Sequence, residues 1–337
     1  MFNIGIVGCG YWGPNLIRNF NSLSEGNVKK ICDLDPKRLE HLKSLYPTVE
    51  TSSEFDDVIK DKHIDAIVIA VPLRFHFEMA KKSLEAGKHT FVEKPMASSV
   101  DECKELIAIA EKKKLTLMVG HTFIYSTPVR KIKEIVDSGD LGQIQYISCR
   151  RLNLGLFQKD INVAWDLAPH DISIILYIIN EKIESVNCQG KAHVNPEVED
   201  VTNMTLNFSN SGFATIQSSW LDPNKIREII FVGSKKMLVY DDIEPNEKIK
   251  IYDKRVEAPP HYDTFAEFQY SYHYGDMYAP YLKMTEPLKV ECQHFIDCIK
   301  NGSKSLSSGK EGLEVVQILE AASQSLKNGG AKVAVFQ

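Results

Sequence analysis

Lys94, inside Glu93-Lys94-Pro95, and the pair Asp166 and His170, inside Trp165-Asp166-Leu167-Ala168-Pro169-His170-Asp171, are the side chains best suited to chemistry on an alcohol. A lysine ammonium can hydrogen-bond a hydroxyl and stabilise the alkoxide that develops as hydride leaves carbon. A histidine titrating near neutrality can take the hydroxyl proton. A carboxylate four residues before it shares its helix face, where it can orient the ring or contact a substrate. Each stretch also has a plainer reading. A lysine before a proline at a strand end serves equally well as a surface turn, and a histidine beside a carboxylate at a helix start is often only a cap. What gives both a catalytic meaning is a hydride acceptor, and the N-terminus carries a motif for one.

Gly8, Gly10 and Gly13 lie between the apolar stretch Ile4-Gly5-Ile6-Val7 and a helix opening at Pro14, and Asp33 follows twenty residues after the third glycine. This is a dinucleotide-binding fingerprint in its proper context. Gly8 permits the tight turn, Gly10 lets backbone approach a pyrophosphate, Gly13 lets helix and strand pack closely, and the helix N-terminus offers free N–H groups to the phosphates. Pro14 suits the first turn, where its missing N–H has no partner to lose. Asp33, closing the second strand, suits the adenosine ribose hydroxyls and repels a 2′-phosphate, which favours NAD over NADP. Asp35, directly before Pro36, fits the cap of the next helix better than Asp33 does, and Arg38 is the residue placed to meet a 2′-phosphate.

The elements that must position these residues alternate through the first 120 positions. Strand patterns at 4–8, 28–33, 66–71, 90–93 and 116–120, with a shorter one near Val49, are separated by amphipathic helical patterns at 15–23, 37–45, 55–60, 76–86 and 100–113. Gly87 is placed as a helix C-cap. Alternation of this kind predicts a doubly wound parallel sheet covered on both faces. Val71-Pro72 and Glu93-Lys94-Pro95 end two of the strands on the carboxyl side, where ligands of such folds bind, and Lys94-Pro95 is a candidate cis bond. By position the cofactor contacts are Gly8, Gly10, Tyr11, Trp12, Gly13, Asp33, Val71, Pro72, His76, Glu93 and Lys94.

The pattern changes after Gly120, which sets domains at 1–120 and 121–337. Strand-like runs at 145–152, 201–208, 213–220, 228–232 and 237–240, joined by turn signals such as Asn210-Ser211-Gly212 and Gly233-Ser234-Lys235, predict hairpins of an antiparallel sheet. One helical segment at 170–179 interrupts them, with Pro169 in its first turn, and two helices at 287–300 and 312–327 precede a short run at 333–335. The second domain is expected to be an α+β unit whose sheet faces substrate on one side or a second subunit on the other.

Composition narrows the class. With 337 residues, 43% hydrophobic and 25% charged, the chain reads as a soluble globular protein of about two domains. The net charge of −5 gives no support to nucleic-acid binding, and Lys112-Lys113-Lys114 falls where a helix ends. Seven cysteines without a CxxC pair suggest reduced thiols in a cytosol. The expectation is a cytoplasmic protein: a strand entered at Asn3 leaves no room for a signal peptide, and no apolar run approaches the roughly 18 residues of a membrane helix. Asn203-Met204-Thr205 therefore carries no weight as a glycosylation site. No histidine or cysteine spacing suits zinc, and a strand-end lysine supplies the positive charge a metal would bring.

Taken in order, NIGIVGCGYWGPN, Glu93-Lys94-Pro95 and the Asp166–His170 pair resemble the Gfo/Idh/MocA oxidoreductases over essentially the whole chain. The resemblance implies a Rossmann domain followed by a domain with a large open antiparallel sheet, NAD(P) as cofactor, and oxidation or reduction of a sugar or cyclitol carbinol. It implies sheet-to-sheet homodimers, often paired into tetramers. Carried over by position, it makes Lys94 the catalytic lysine, His170 the acid/base and Asp166 its companion. A narrower resemblance lies in Ser219-Trp220-Leu221-Asp222-Pro223-x-Lys225-x-Arg227, Val239-Tyr240-Asp241-Asp242 and Tyr274-Gly275-Asp276, which are similar to the nucleotide-sugar branch that oxidises C3 of UDP-N-acetylglucosamine. Lys225 and Arg227 can neutralise a diphosphate, while Tyr270, Tyr272 and Tyr274 alternate as one face of an ordinary strand does. Tyr125, Arg151 and Trp165 complete the expected substrate contacts. Three readings stay open beside this one: the reverse reduction of a 3-keto sugar, oxidation of inositol or a free sugar, and a regulator that binds NAD without needing Lys94 or His170.

Overall fold

Ile4, Ile6, Ile67, Val68, Phe91, Val92, Met118 and Val119 are fully buried, so neighbouring positions of the first strands face apolar material on both sides, as a sheet covered by helices on both faces requires. The computed structural model describes residues 1–179, 181–210, 212–257 and 270–335. Six parallel strands, β1 (Phe2–Val7), β2 (Gly26–Cys32), β3 (Glu50–Ser52), β4 (Ala66–Ile69), β5 (His89–Glu93) and β6 (Leu117–Gly120), lie in the order β3-β2-β1-β4-β5-β6. That is the doubly wound order, with its reversal between β1 and β4. Between the strands run α1 (Gly13–Asn21), α2 (Pro36–Leu45), α3 (Phe55–Ile59), α4 (His76–Glu85) and α5 (Val100–Lys113). Asp35 caps α2 by accepting the Lys37 N–H at 2.9 Å, and Gly87, just past α4, has φ +79°.

Two compact units divide the chain, and they are not the contiguous halves that a boundary at Gly120 implies. The first contains Met1–Ser126 together with Thr285–Glu320. The returning segment brings α8 (Pro287–Asn301) against α1, where Phe295 stacks edge-on against Phe20 and Phe91. Glu286 at its start accepts hydrogen bonds from Arg18 and from Asn19, the latter at 3.0 Å. No local pattern announces this return, because an amphipathic helix is complementary to any apolar groove.

The second unit contains Thr127–Met284 and the residues from Ala321 on, so α9 (Gly309–Lys327) contributes to both units. Its sheet is built from β7 (Ile144–Leu154), β8 (Ile183–Lys191), β9 (Val201–Phe208), β10 (Phe213–Ser219), β11 (Leu221–Gly233), β12 (Met237–Asp241), β13 (Ile249–Glu257), β14 (Ser271–Tyr278) and β15 (Val333–Ala334), in the order β14-β13-β12-β11-β7-β10-β9-β8-β15. It is mixed rather than wholly antiparallel, since β7 and β10 pair in parallel. The expected turn at 210–212 includes Ser211, which lies outside the described residues.

Two helices of this unit are α6 (Thr127–Asp137), which was not expected, and α7 (Val163–Ile178). α7 begins seven residues before the expected start at His170. Asn162 caps it by accepting the Trp165 N–H at 3.1 Å, and Pro169 lies inside the helix rather than in its first turn. The buried Ile172, Ile174, Ile175 and Ile178 seat it on β7, β9 and β10, and this packing outweighs the hydrogen bond the proline removes.

Candidate active site

The glycines of the first turn divide by what requires them. An added Cβ at Gly8, where φ is +94°, would lie 2.3 Å from the Ala70 carbonyl oxygen, and one at Gly13 would lie 2.1 Å from the Gly8 oxygen, so the chain's own packing demands both. At Gly10 a Cβ would meet only Arg38 Nη1, at 3.8 Å. The protein alone has no need of glycine there, whereas a diphosphate lying on the turn does. The first turn of α1 carries no acidic residue and no side-chain cap, so no carboxylate of its own opposes an anion there; the Asn15 and Leu16 N–H groups donate to the Trp12 oxygen. Tyr11 is exposed and Trp12 half-exposed, edge to face with ring centroids 5.7 Å apart. These features fit a bound dinucleotide.

Asp33 is more engaged than the sequence suggests. Its Oδ2 accepts the Cys9 N–H at 2.6 Å and its Oδ1 the Asp35 N–H at 2.8 Å, while Arg38 Nη1 stands 3.6 Å away. The carboxylate therefore braces the glycine turn, and each oxygen keeps a lone pair for a ribose hydroxyl.

At the carboxyl ends of β5 and β6 the structure gathers Lys94 with buried titratable groups that sequence spacing did not reveal. Lys94-Pro95 is cis. Burial pushes the Glu93 carboxyl up to about 7 against the pull of Lys94, and its oxygens pack against Gly120. Burial, reinforced by Lys94, pushes His121 down to about 3, and neither ring nitrogen has a hydrogen-bond partner among the described residues. Glu291 of α8, which accepts the Thr122 hydroxyl at 2.7 Å, is held well above the ordinary carboxyl range by burial and by Glu93. Lys94 thus stands beside groups that burial drives toward neutrality.

His76, expected at the cofactor, is engaged by backbone on both ring nitrogens. It is 1% exposed, with Nδ1 2.7 Å from the Pro95 oxygen and Nε2 2.8 Å from the Val71 oxygen. Its ring ties the turn after β4 to the turn after β5, so its contribution is to the backbone carrying Val71, Pro72 and Lys94. Tyr125, expected at the substrate, is buried in the first unit with its hydroxyl 2.9 Å from Ser307 Oγ and its ring beside His294.

In the second unit Asp166 and His170 share one α7 face by their spacing. Asp166 Oδ2 accepts the Trp220 Nε1–H at 3.1 Å, and Trp165 donates to Ser323 Oγ at 2.8 Å. The Trp220 contact spans 54 residues and has no local sequence signal. Arg151, expected at the substrate, has its guanidinium buried in a bidentate pair with Asp171. Arg227 lies 3.4 Å from Asp242, and Lys225 is exposed. All seven cysteines are buried and unbridged, and no cluster of metal-ligating side chains occurs among the described residues.

A doubly wound domain with a dinucleotide turn, joined to a domain with a broad mixed sheet, defines an NAD-binding oxidoreductase. Residues 2–121 match "Oxidoreductase family, NAD-binding Rossmann fold" and residues 129–239 match "GFO/IDH/MocA C-terminal domain"; the chain belongs to the Gfo/Idh/MocA oxidoreductase family. Its cofactor is NAD, and its class is that of oxidoreductases acting on CH–OH groups. An uncharacterised oxidoreductase, YrbE of Bacillus subtilis (strain 168), is 27% identical over 96% of this chain and 94% of its own. A myo-inositol 2-dehydrogenase of Thermotoga maritima is 22% identical over 96% of both. The solved UDP-N-acetylglucosamine 3-dehydrogenase GnnA from Acidithiobacillus ferrooxidans has the same fold, with TM-score 0.79 and 19% identity over 98% of this chain and 99% of its own. Among the described residues no helix is long and apolar enough to cross a membrane.

Proposed function

We propose that the protein oxidises a secondary hydroxyl of a nucleotide-linked sugar, with C3 of UDP-N-acetylglucosamine as the leading substrate. The observation that carries the chemistry is Lys94, a cation at a strand end beside buried groups that are driven toward neutrality. NAD, when bound, supplies the hydride acceptor; the glycine turn and Asp33 would hold its diphosphate and ribose. Lys94 donates a hydrogen bond to the substrate oxygen and stabilises the charge that grows on it. His170 takes the hydroxyl proton, and Asp166, held by Trp220, is its companion. Lys225 and Arg227 support the nucleotide-sugar reading as cations on one strand. A homodimer through the nine-stranded sheet is part of the same reading.

A free polyol is the second reading, favoured by the Arg227–Asp242 contact, which already engages a cation that a diphosphate would need. The myo-inositol 2-dehydrogenase relative supports it too. The deciding experiment follows NADH at 340 nm with NAD or NADP against UDP-N-acetylglucosamine, other nucleotide sugars and free inositol, with a ketone trap to draw the equilibrium forward. Turnover confined to a UDP-sugar with NAD is expected; turnover with inositol alone removes the nucleotide-sugar assignment. Lys94→Ala is expected to lower kcat by about a hundredfold or more while NADH affinity holds, and an unchanged kcat removes Lys94 from the reaction.

A further inference from the structure

Arg151 of β7 and Asp171 of α7 are joined by two hydrogen bonds, Nε to Oδ2 at 3.0 Å and Nη2 to Oδ1 at 2.7 Å, with side chains only 7% and 2% exposed. A pair so enclosed loses hydration from both charges, and apolar residues of equal volume are commonly as stable. Net stability therefore does not account for it. A bidentate fork does deliver a fixed distance and direction between the two backbones.

Its place in the fold gives that direction a use. Asp171 is the residue after His170, and Pro169, two residues earlier, lacks the N–H that would tie this turn of α7 to the preceding one. The turn of α7 that carries His170 thus lacks one of the helix's own hydrogen bonds. At the other end Arg151 stands in register with Arg227 of β11, whose Nη1 lies 3.4 Å from Asp242. Asp242 accepts the buried Tyr240 hydroxyl at 3.0 Å. The anchor is therefore set among three adjacent strands rather than on one mobile side chain.

We infer that the Arg151–Asp171 pair is a positioning device for His170, fixing the rotation and rise of α7 at the residue beside the imidazole. The inference rests on the proposed role of His170 as proton acceptor. The pair touches neither substrate nor cofactor; it acts through the helix backbone.

The test replaces the pair by apolar residues of similar volume, Arg151→Met with Asp171→Leu, which preserves packing and leaves no charge stranded. Expected are a wild-type Tm, unchanged NADH binding, a kcat lower by about tenfold or more, and a displaced rate–pH profile. A kcat within about twofold of wild type, with the same profile, overturns the inference. Arg151→Lys, which keeps the charge but not the fork, is the second variant should the first not fold; wild-type kcat there overturns it as well. A readout free of turnover is the rate at which diethylpyrocarbonate modifies His170, followed by mass spectrometry in wild type and both variants. If His170→Ala retains full activity, the proton-acceptor reading fails by itself. A modification rate of His170 that is the same in all three proteins overturns the positioning role regardless of substrate.

Discussion

Glu93 shows how burial turns a residue next to the candidate catalytic lysine into a determinant of pH behaviour. Its carboxyl is pushed up to about 7, whereas an unfolded glutamate titrates near about 4.3. Between those values the folded chain holds a proton the unfolded chain has released, so this group's contribution to stability falls as pH rises through the window. Glu93→Gln removes the titration. Thermal unfolding at pH 5 and pH 8.5 is expected to show the variant gaining several degrees on wild type at the higher pH; parallel Tm profiles would contradict a buried, protonated carboxyl. His121 acts in the opposite sense on the acid side. Its ring is pushed down to about 3, so the stability it contributes is present above the ordinary histidine range near 6.5 and is lost as pH falls toward 3.

At the scale of elements the glycine turn separates folding from binding. Gly13→Ala drives a methyl into the Gly8 carbonyl and is expected to destabilise the first unit by about 2 kcal/mol, because the strand and helix cannot both keep their places. Gly10→Ala meets only the end of Arg38, so its Tm should match wild type while NADH binding weakens by about tenfold or more. Tm measurements with fluorescence titration of NADH separate the two; equal loss of stability in both variants would show that Gly10 serves packing. The spacing of these glycines, the strand before them and the helix after them are legible in sequence because they are local. The start of α7 is not. Pro169 invites a first-turn reading, and only the seating of four isoleucines on the sheet explains a helix that runs through it.

For the whole molecule, one face of the large sheet carries a cross-strand apolar row in register that is half-buried or exposed among the described residues. Phe213, Tyr146, Val232, Met237, Tyr252 and Met277 follow one another from β10 to β14, and the Phe213 and Tyr146 rings lie 5.1 Å apart. Such a row is costly to leave in water. Light scattering is expected to give a dimer or a multiple of it for the wild type, and Val232→Asp should shift the population toward monomer without changing the far-UV spectrum. A wild-type monomer at micromolar concentration contradicts an interface on this face.

The sequence alone determined the doubly wound unit, its nucleotide turn, Asp35 as the cap of α2, and the placing of Lys94 at a strand end. Each of these depends on residues within one element or one turn, where spacing and backbone preference act directly. Tertiary structure decided what required contacts between distant positions. It returned Thr285–Glu320 to the first unit, ran β7 and β10 in parallel, braced Asp33 against the glycine turn, and gave Asp166 to Trp220. It also paired Arg151 with Asp171, Tyr125 with Ser307, and His76 with the Val71 and Pro95 carbonyls. Their polar atoms were buried, and a buried polar atom takes whichever partner the fold brings within reach.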